Sequence, residues 1–355
     1  MRKLFRNLDK SVGKVATTSV AALDALRRLV RPRRPSQPGK VGSILAIKLV
    51  GLGDTVLMLT ALDRLRESMP HARISVLVTP LSKGIIEGQP QVDRVIVYDV
   101  FGKDKGIRGL VRLVRTLKQL SPECIIDFEQ HFQATALLSY LVGSPMRIGL
   151  YYHGNPRKLL LTDPVFFDPE VHMVVSYLRL LEPLGIKAHV PSRLTPIAIA
   201  AEDRQRVDKW LESLGLDSQP LVGIHTGSGI RAPAKRWAAE RFAGLISHLT
   251  SQGSAVVLTG SADEFDHCEA IARQAGETDV YNTAGMFTIK QTAHLISRCS
   301  LFVSNDTGPM HISAAMGTPT IGLFGPESPQ RYGPFLSLIH ISEPTRLGMI
   351  SYAVF

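Results

Sequence analysis

From Val41 to about Gly185, short runs of β-branched and aliphatic residues alternate with longer stretches whose apolar positions recur every three or four residues. Ser43 to Leu49, Arg73 to Val78, Arg94 to Tyr98, Glu123 to Phe128 and Arg147 to Leu150 are the expected strands, and Val56 to Met69 carries helical periodicity. A second series follows a polar helix expected near Ala201 to Leu214 and the turn Asp217-Ser218-Gln219-Pro220. Its strands are expected at Leu221 to His225, Ala255 to Thr259, Asp279 to Tyr281, Leu301 to Ser304 and Pro319 to Phe324. Repetition of strand, helix and strand predicts an α/β protein with mainly parallel sheets, helices on both faces and right-handed crossovers. Two such series predict two Rossmann-like domains, 41–195 and 196–335, facing a cleft. In open parallel sheets ligands bind beyond the carboxyl ends of the strands, so the loops there are where chemistry is sought.

The two ends depart from this pattern. Leu4, Leu8, Val12, Val15, Leu23, Leu26 and Val30 recur at helical spacing among Arg2, Lys3, Arg6, Lys10, Lys14, Arg27 and Arg28, the pattern of a basic amphipathic helix. Arg31-Pro32-Arg33-Arg34-Pro35-Ser36-Gln37-Pro38-Gly39 then forms a stiff, extended linker. Residues 1–40 are expected either to lie on an anionic membrane surface or to remain a solvated tail or packed helix. At the other end, residues 336–346 resemble the conceptual translation of a transposase-type sequencing adapter. An index would supply the codons of Leu347-Gly348-Met349, and the next adapter bases translate as residues 350–355. Residues 336–355 are therefore expected to be an artefact, with the natural reading frame cut near Phe335.

Charge sharpens this division. The chain has 355 residues, 41 of them Lys or Arg and 31 Asp or Glu, for a net charge of +10. Residues 1–40 hold eleven of the cations and two of the acids, so the other 315 positions carry 30 basic and 29 acidic residues. A nearly neutral body, in a chain with only 6% aromatic residues, argues against nucleic acid as a partner. Cys124, Cys268 and Cys299 stand far apart, without disulfide or zinc-ligand spacing, which suits a reducing, cytoplasmic setting. No run of about twenty apolar residues is present to span a bilayer.

Four strand-end loops carry candidate chemistry. The first is Lys48-Leu49-Val50-Gly51-Leu52-Gly53-Asp54-Thr55. It lacks the third glycine of a dinucleotide fingerprint, and its carboxylate would repel a pyrophosphate. Asp54 either caps the following helix or acts as a general base, with Gly51 and Gly53 admitting a substrate close to the backbone. The second, His225-Thr226-Gly227-Ser228-Gly229 with Lys235-Arg236-Trp237, offers the Thr226 and Ser228 hydroxyls, amides and the Lys235 cation to phosphate, or is a plain surface loop. In the third, Glu264 either accepts from ribose hydroxyls or favours the first helical turn through the dipole. The fourth is Val303-Ser304-Asn305-Asp306-Thr307-Gly308-Pro309-Met310-His311. Its helix start is a diphosphate seat. Asp306 is expected to cap the helix or bind sugar hydroxyls, and His311 to be a charged phosphate partner or a packed side chain.

Together these motifs, with Gly322-Leu323-Phe324-Gly325-Pro326, resemble glycosyltransferase family 9, the heptosyltransferases of lipopolysaccharide core assembly. The resemblance runs from about Ser43 to Phe335 and is most specific over Ser304 to Pro326. It implies a GT-B fold, an acceptor-binding first domain, a nucleotide-sugar-binding second domain, and inverting transfer from ADP-heptose to a lipid A-linked saccharide without cofactor or metal. The lack of an Asp-X-Asp triplet agrees with metal independence. Asp54 takes the place of the general base and Lys235 that of the cation on the donor diphosphate. Glu264 matches the ribose contact, Thr307 and Gly308 the phosphate-binding helix start, Asp306 the donor-sugar contact and His311 a site-lining histidine. Asp127 to His131 and Tyr151 to Gly154 are candidate acceptor loops. The alternatives are a GT-B transferase for another nucleotide sugar and a noncatalytic nucleotide-sugar or RNA-binding protein.

Overall fold

The computed structural model describes residues 17–20, 41–228, 235–276, 278–325, 327–335, 339–342 and 352–354. Of the expected basic helix and linker at 1–40, only residues 17–20, which are helical, fall among these. The chain divides into two compact units, Met1–Gly51 with Thr60–Val190 and Leu52–Leu59 with Pro191–Phe355.

The first unit is built on six strands: β1 (Ser43–Ile47), β2 (Arg73–Val78), β3 (Arg94–Val97), β4 (Cys124–Asp127), β5 (Met146–Tyr151) and β6 (Asp163–Phe166). They lie in the order β3-β2-β1-β4-β5-β6, every pair parallel. Parallel neighbours need crossovers, and helices supply them: α1 (Leu52–Ser68), whose first half, Leu52–Leu59, belongs to the second unit, α2 (Pro80–Ile86), α3 (Gly106–Gln119) and α4 (Gln133–Val142). Leu45, Ile47, Leu77 and Ile125 from the strands pack with Leu113 and Leu117 of α3 and Leu138 of α4. The β6 strand was not expected from the sequence. Its Asp-Pro-Val-Phe has a proline that cannot donate to a ladder, a composition tolerated here because the strand lies at the sheet edge.

Helix α5 (Met173–Arg179) completes the first unit, and the framework of the second begins at α6 (Ala201–Ser213). Strands β7 (Leu221–His225), β8 (Ala255–Thr259), β9 (Val280–Asn282), β10 (Leu301–Asn305) and β11 (Thr320–Phe324) alternate with α7 (Ala239–Ser251), α8 (Phe265–Ala275), α9 (Ile289–Ser297) and α10 (Gly308–Met316), before a short α11 (Pro329–Tyr332). Side chains alternate along each strand. Val222, Ile224, Val256 and Leu258 join Phe242, Ile246 and Ile271 on one face. Leu221, Ala255 and Val257 join Val207, Leu211 and Leu295 on the other. Because both faces are covered, the strands read as unbroken apolar runs, which is why their positions are legible in the sequence.

Two more strands extend this sheet, β12 (Ile339–Ser342) parallel to β11 and β13 (Tyr352–Val354) antiparallel to β12. Both lie in the segment expected to be translated adapter. Without them β11 would be an edge, and an open edge accepts a suitably alternating run through backbone hydrogen bonds alone.

Candidate active site

In the second unit, β10 runs into the start of α10. Asn305 closes the strand, fully buried, and spans three segments. Its Nδ2 donates to the carbonyls of Thr226 (2.9 Å) and Gly227 (3.0 Å), while Oδ1 accepts from the Trp237 amide (3.1 Å). One amide side chain thus fixes the β7 loop, the Lys235 segment and the β10 terminus relative to one another. In the sequence, its place between a strand end and Asp-Thr-Gly is the signal for this role.

Thr307 occupies the N-cap of α10 in extended conformation, and no side chain caps that helix. Its hydroxyl donates instead to the Asn305 carbonyl (3.1 Å). The first amides of a helix have no partner within it, so this terminus presents donors and positive potential to an anion. At Gly308 a Cβ would stand 2.7 Å from Leu52 Cδ2, and at Gly53 a Cβ would fall on the His311 imidazole. The glycines therefore let the start of α1 pack directly on the start of α10. Gly51, just before α1, has φ 90°, which only glycine adopts without strain.

That approach brings Asp54, third residue of α1 and partly exposed, into the same electrostatic neighbourhood as His311 and Asp306. Burial drives the His311 pKa down to about 4, with the Asp54 carboxylate opposing and Lys235 adding to the fall. His311 is therefore neutral near pH 7, which favours the packed side chain over the charged phosphate partner, the two alternatives that the sequence leaves open. The desolvation of a 5% exposed ring outweighs its carboxylate neighbour. Because the unfolded histidine binds a proton more readily than the folded one, stability gained from neutral His311 is complete above about pH 6.5 and is lost as pH falls towards 4, up to about 3 kcal/mol. Urea unfolding of wild type and His311→Phe should diverge across that window, the variant being the less acid-sensitive.

Asp306 does not cap α10. Its carboxylate meets Lys235 Nζ at 2.5 Å, and Lys235 lies 3.8 Å from Glu327. Burial raises the Asp306 pKa, Lys235 opposes the rise, and Asp54 reinforces it. The partners stand 71 positions apart in the chain, so no local pattern reveals the pair.

The remaining expected donor contacts divide. Thr226 is fully buried with its hydroxyl 3.6 Å from Cys268 Sγ, inside the loop. Ser228 keeps an exposed fraction and accepts from Arg236 Nε at 3.2 Å. Glu264 Oε2 accepts the Ser261 amide (3.0 Å) and hydroxyl (3.1 Å), completing a capping box, while Oε1 fills the space that a Cβ on Gly227 would need. The helix-start reading of Glu264 is thus realised locally.

In the first unit, Glu129 organises the loop after β1. Its Oε1 accepts the amides of Leu49 (2.8 Å) and Val50 (2.7 Å), and Oε2 pairs with buried Lys48 at 3.2 Å. Beside it, Asp127 and Arg157 form a pair at 2.5 Å with neither side chain exposed. The two candidate acceptor loops meet here, the His131 and Tyr152 rings standing edge-on with centroids 6.1 Å apart.

Comparison with known proteins places this architecture. The sequence pattern of glycosyltransferase family 9 (heptosyltransferase) matches residues 110–345. Lipopolysaccharide heptosyltransferase 3 of Escherichia coli K12 is 27% identical over 281 residues, 77% of this chain and 79% of that protein. Lipooligosaccharide heptosyltransferase 2 of Haemophilus influenzae is 29% identical over 307 residues, 83% of this chain and 86% of that one. The crystal structure of a family 9 glycosyltransferase from Veillonella parvula superposes with a TM-score of 0.76 at 29% identity, covering 87% of this chain and 88% of the other. E. coli ADP-heptose lps heptosyltransferase II gives 0.66 at 26%, covering 86% and 91%. Two mainly parallel sheets, an uncapped helix start after Asn305-Asp306-Thr307 and this extent of similarity lead to one conclusion: the chain belongs to glycosyltransferase family 9 and is a glycosyltransferase with a GT-B-type pair of Rossmann-like domains.

Proposed function

We propose that this protein transfers a heptose from ADP-heptose to a lipid A-linked saccharide of the lipopolysaccharide core, inverting the anomeric centre without a metal ion. The observation that carries the reading is the packing of the Asp54 helix start against the α10 start that bears Asp306, Thr307 and His311. Asp54 takes the proton of the acceptor hydroxyl as its oxygen attacks the anomeric carbon from the side opposite ADP. The bond from that carbon to the diphosphate oxygen breaks, and its electron pair leaves with ADP. The growing negative charge is met by the amides at the start of α10 and by Lys235, which Asp306 holds in place. Glu264 and Ser228 line the nucleoside end, and Asp306 also accepts from donor hydroxyls. Gly51 and Gly53 lie on the acceptor side.

Residues 1–40, with their excess of nine positive charges, attach the protein to the anionic inner face of the cytoplasmic membrane, where the acceptor lipid resides. Among the described residues no helix is long and apolar enough to cross a membrane. ADP release from ADP-heptose in the presence of a lipid A-linked core acceptor tests the reading. Release of UDP or GDP from other sugar nucleotides, with ADP-heptose inert, would overturn the donor assignment.

Glu129 acts through position rather than contact, because its carboxylate sets the loop that leads into α1. Glu129→Ala should lower kcat by about ten- to a hundredfold through misplacement of Asp54. The KM for the donor should change little, a split that steady-state kinetics resolves. Equal losses in both constants would remove Glu129 from this role.

A further inference from the structure

Helix α3 turns Leu113 and Leu117 into the core of the first unit, with Leu110 and Val114 packed against it. Its outer face is unusual. Ile107 is 71% and Val111 40% exposed, and at i and i+4 they share one stripe. Arg108, Arg115 and Lys118 are exposed on the same side of the helix, which contains no Asp or Glu. Arg112 also points outward, but its guanidinium is tied to Asp104.

Single exposed aliphatics are ordinary on a soluble surface. Two on one stripe, flanked by cations with no acid on the helix, have the composition of a helix lying in a lipid interface. We infer that the outer face of α3 docks on an anionic phospholipid bilayer. Ile107 and Val111 enter the boundary between headgroups and acyl chains, and Arg108, Arg115 and Lys118 lie among the phosphates. The charge has the same sign as the excess in residues 1–40, so both elements suit one surface. This inference stands on the helix itself, and failure of the transfer reaction would leave it untouched.

The test labels Ile107→Cys in the full chain with an environment-sensitive dye, the three native cysteines being buried. Vesicles of phosphatidylglycerol and phosphatidylcholine should shift its emission to the blue, whereas pure phosphatidylcholine should not. The shift should vanish at about 1 M salt, where the Debye length is about 3 Å. A dye at Leu214→Cys, exposed on the second unit, should stay unchanged. Each near-surface cation contributes about fivefold, so neutralising Arg108, Arg115 and Lys118 together to Gln should raise the lipid concentration for half-binding about a hundredfold. Turnover of a water-soluble acceptor and the melting temperature of this triple variant should match wild type, which separates lost docking from lost folding. An unshifted dye at 107 on anionic vesicles overturns the inference, even if residues 1–40 still hold the protein there. So does an equal shift on neutral vesicles, or a response to soluble polyglutamate without one to lipid, which would assign the face to an acidic protein.

Discussion

Asp54→Asn should lower kcat by about 10²–10⁴-fold, the range that one positioned general base supplies, while leaving ADP affinity nearly unchanged. Asparagine preserves the shape of the side chain at the third position of α1 but cannot take a proton. Its amide also removes the negative charge that opposes the low pKa of His311 and reinforces the raised pKa of Asp306. The donor-side charges, Lys235 with Asp306 and the α10 amides, remain in place, so binding of the nucleotide should survive loss of the chemical step. Single-turnover kinetics with calorimetric titration of ADP separates the two. A variant that keeps kcat within about threefold of wild type would eliminate Asp54 as the base, because general-base catalysis is worth at least about a hundredfold.

The largest effect on stability is expected at the Asp127–Arg157 pair. Neither side chain is exposed, and the partners come from β4 and from the short 3-10 helix Pro156–Leu160 that follows β5, 30 positions apart. Arg157→Met leaves the carboxyl buried without its counter-ion, a change that costs about 3–5 kcal/mol. The double variant Asp127→Leu with Arg157→Met removes both charges and should recover most of that loss. The loss in the single variant should also depend on pH. Burial raises the Asp127 pKa even beside Arg157, and without the guanidinium it rises further. The folded carboxyl then binds a proton more readily than the unfolded one. Stability therefore increases as pH falls from neutral through the folded pKa, so the deficit narrows in mild acid. Denaturant midpoints at pH 7 and pH 5 check both the size and the sign. A deficit that is the same at both values would show that the carboxyl is not the source of the cost.

The sheet strands were legible because both faces of each sheet are covered. A strand such as Ala255–Thr259 must then be apolar at nearly every position, and such runs stand out between polar helices. The β6 strand is not legible in the sequence, because an edge strand needs neither that apolar content nor every backbone donor. Helix α1 begins four residues before the periodicity from Val56 predicts, for a related reason. Leu52, Gly53 and Asp54 do not continue the apolar period, and the helix begins there because Gly51 can take a positive φ.

Sequence by itself determined the α/β class, the positions along the chain of most strands and the loops where charge and glycine accumulate, since these follow from local periodicity and backbone freedom. It named Asp54, Lys235, Asp306 and His311 as chemically relevant residue types. Only the tertiary structure decided their states. Burial makes His311 neutral, folding sets Lys235 against Asp306 rather than leaving Asp306 to cap α10, and Asn305 and Glu129 become the residues that hold loops in place. Charge state and pairing depend on desolvation and on partners tens of residues away, and neither quantity exists until the chain has closed around them.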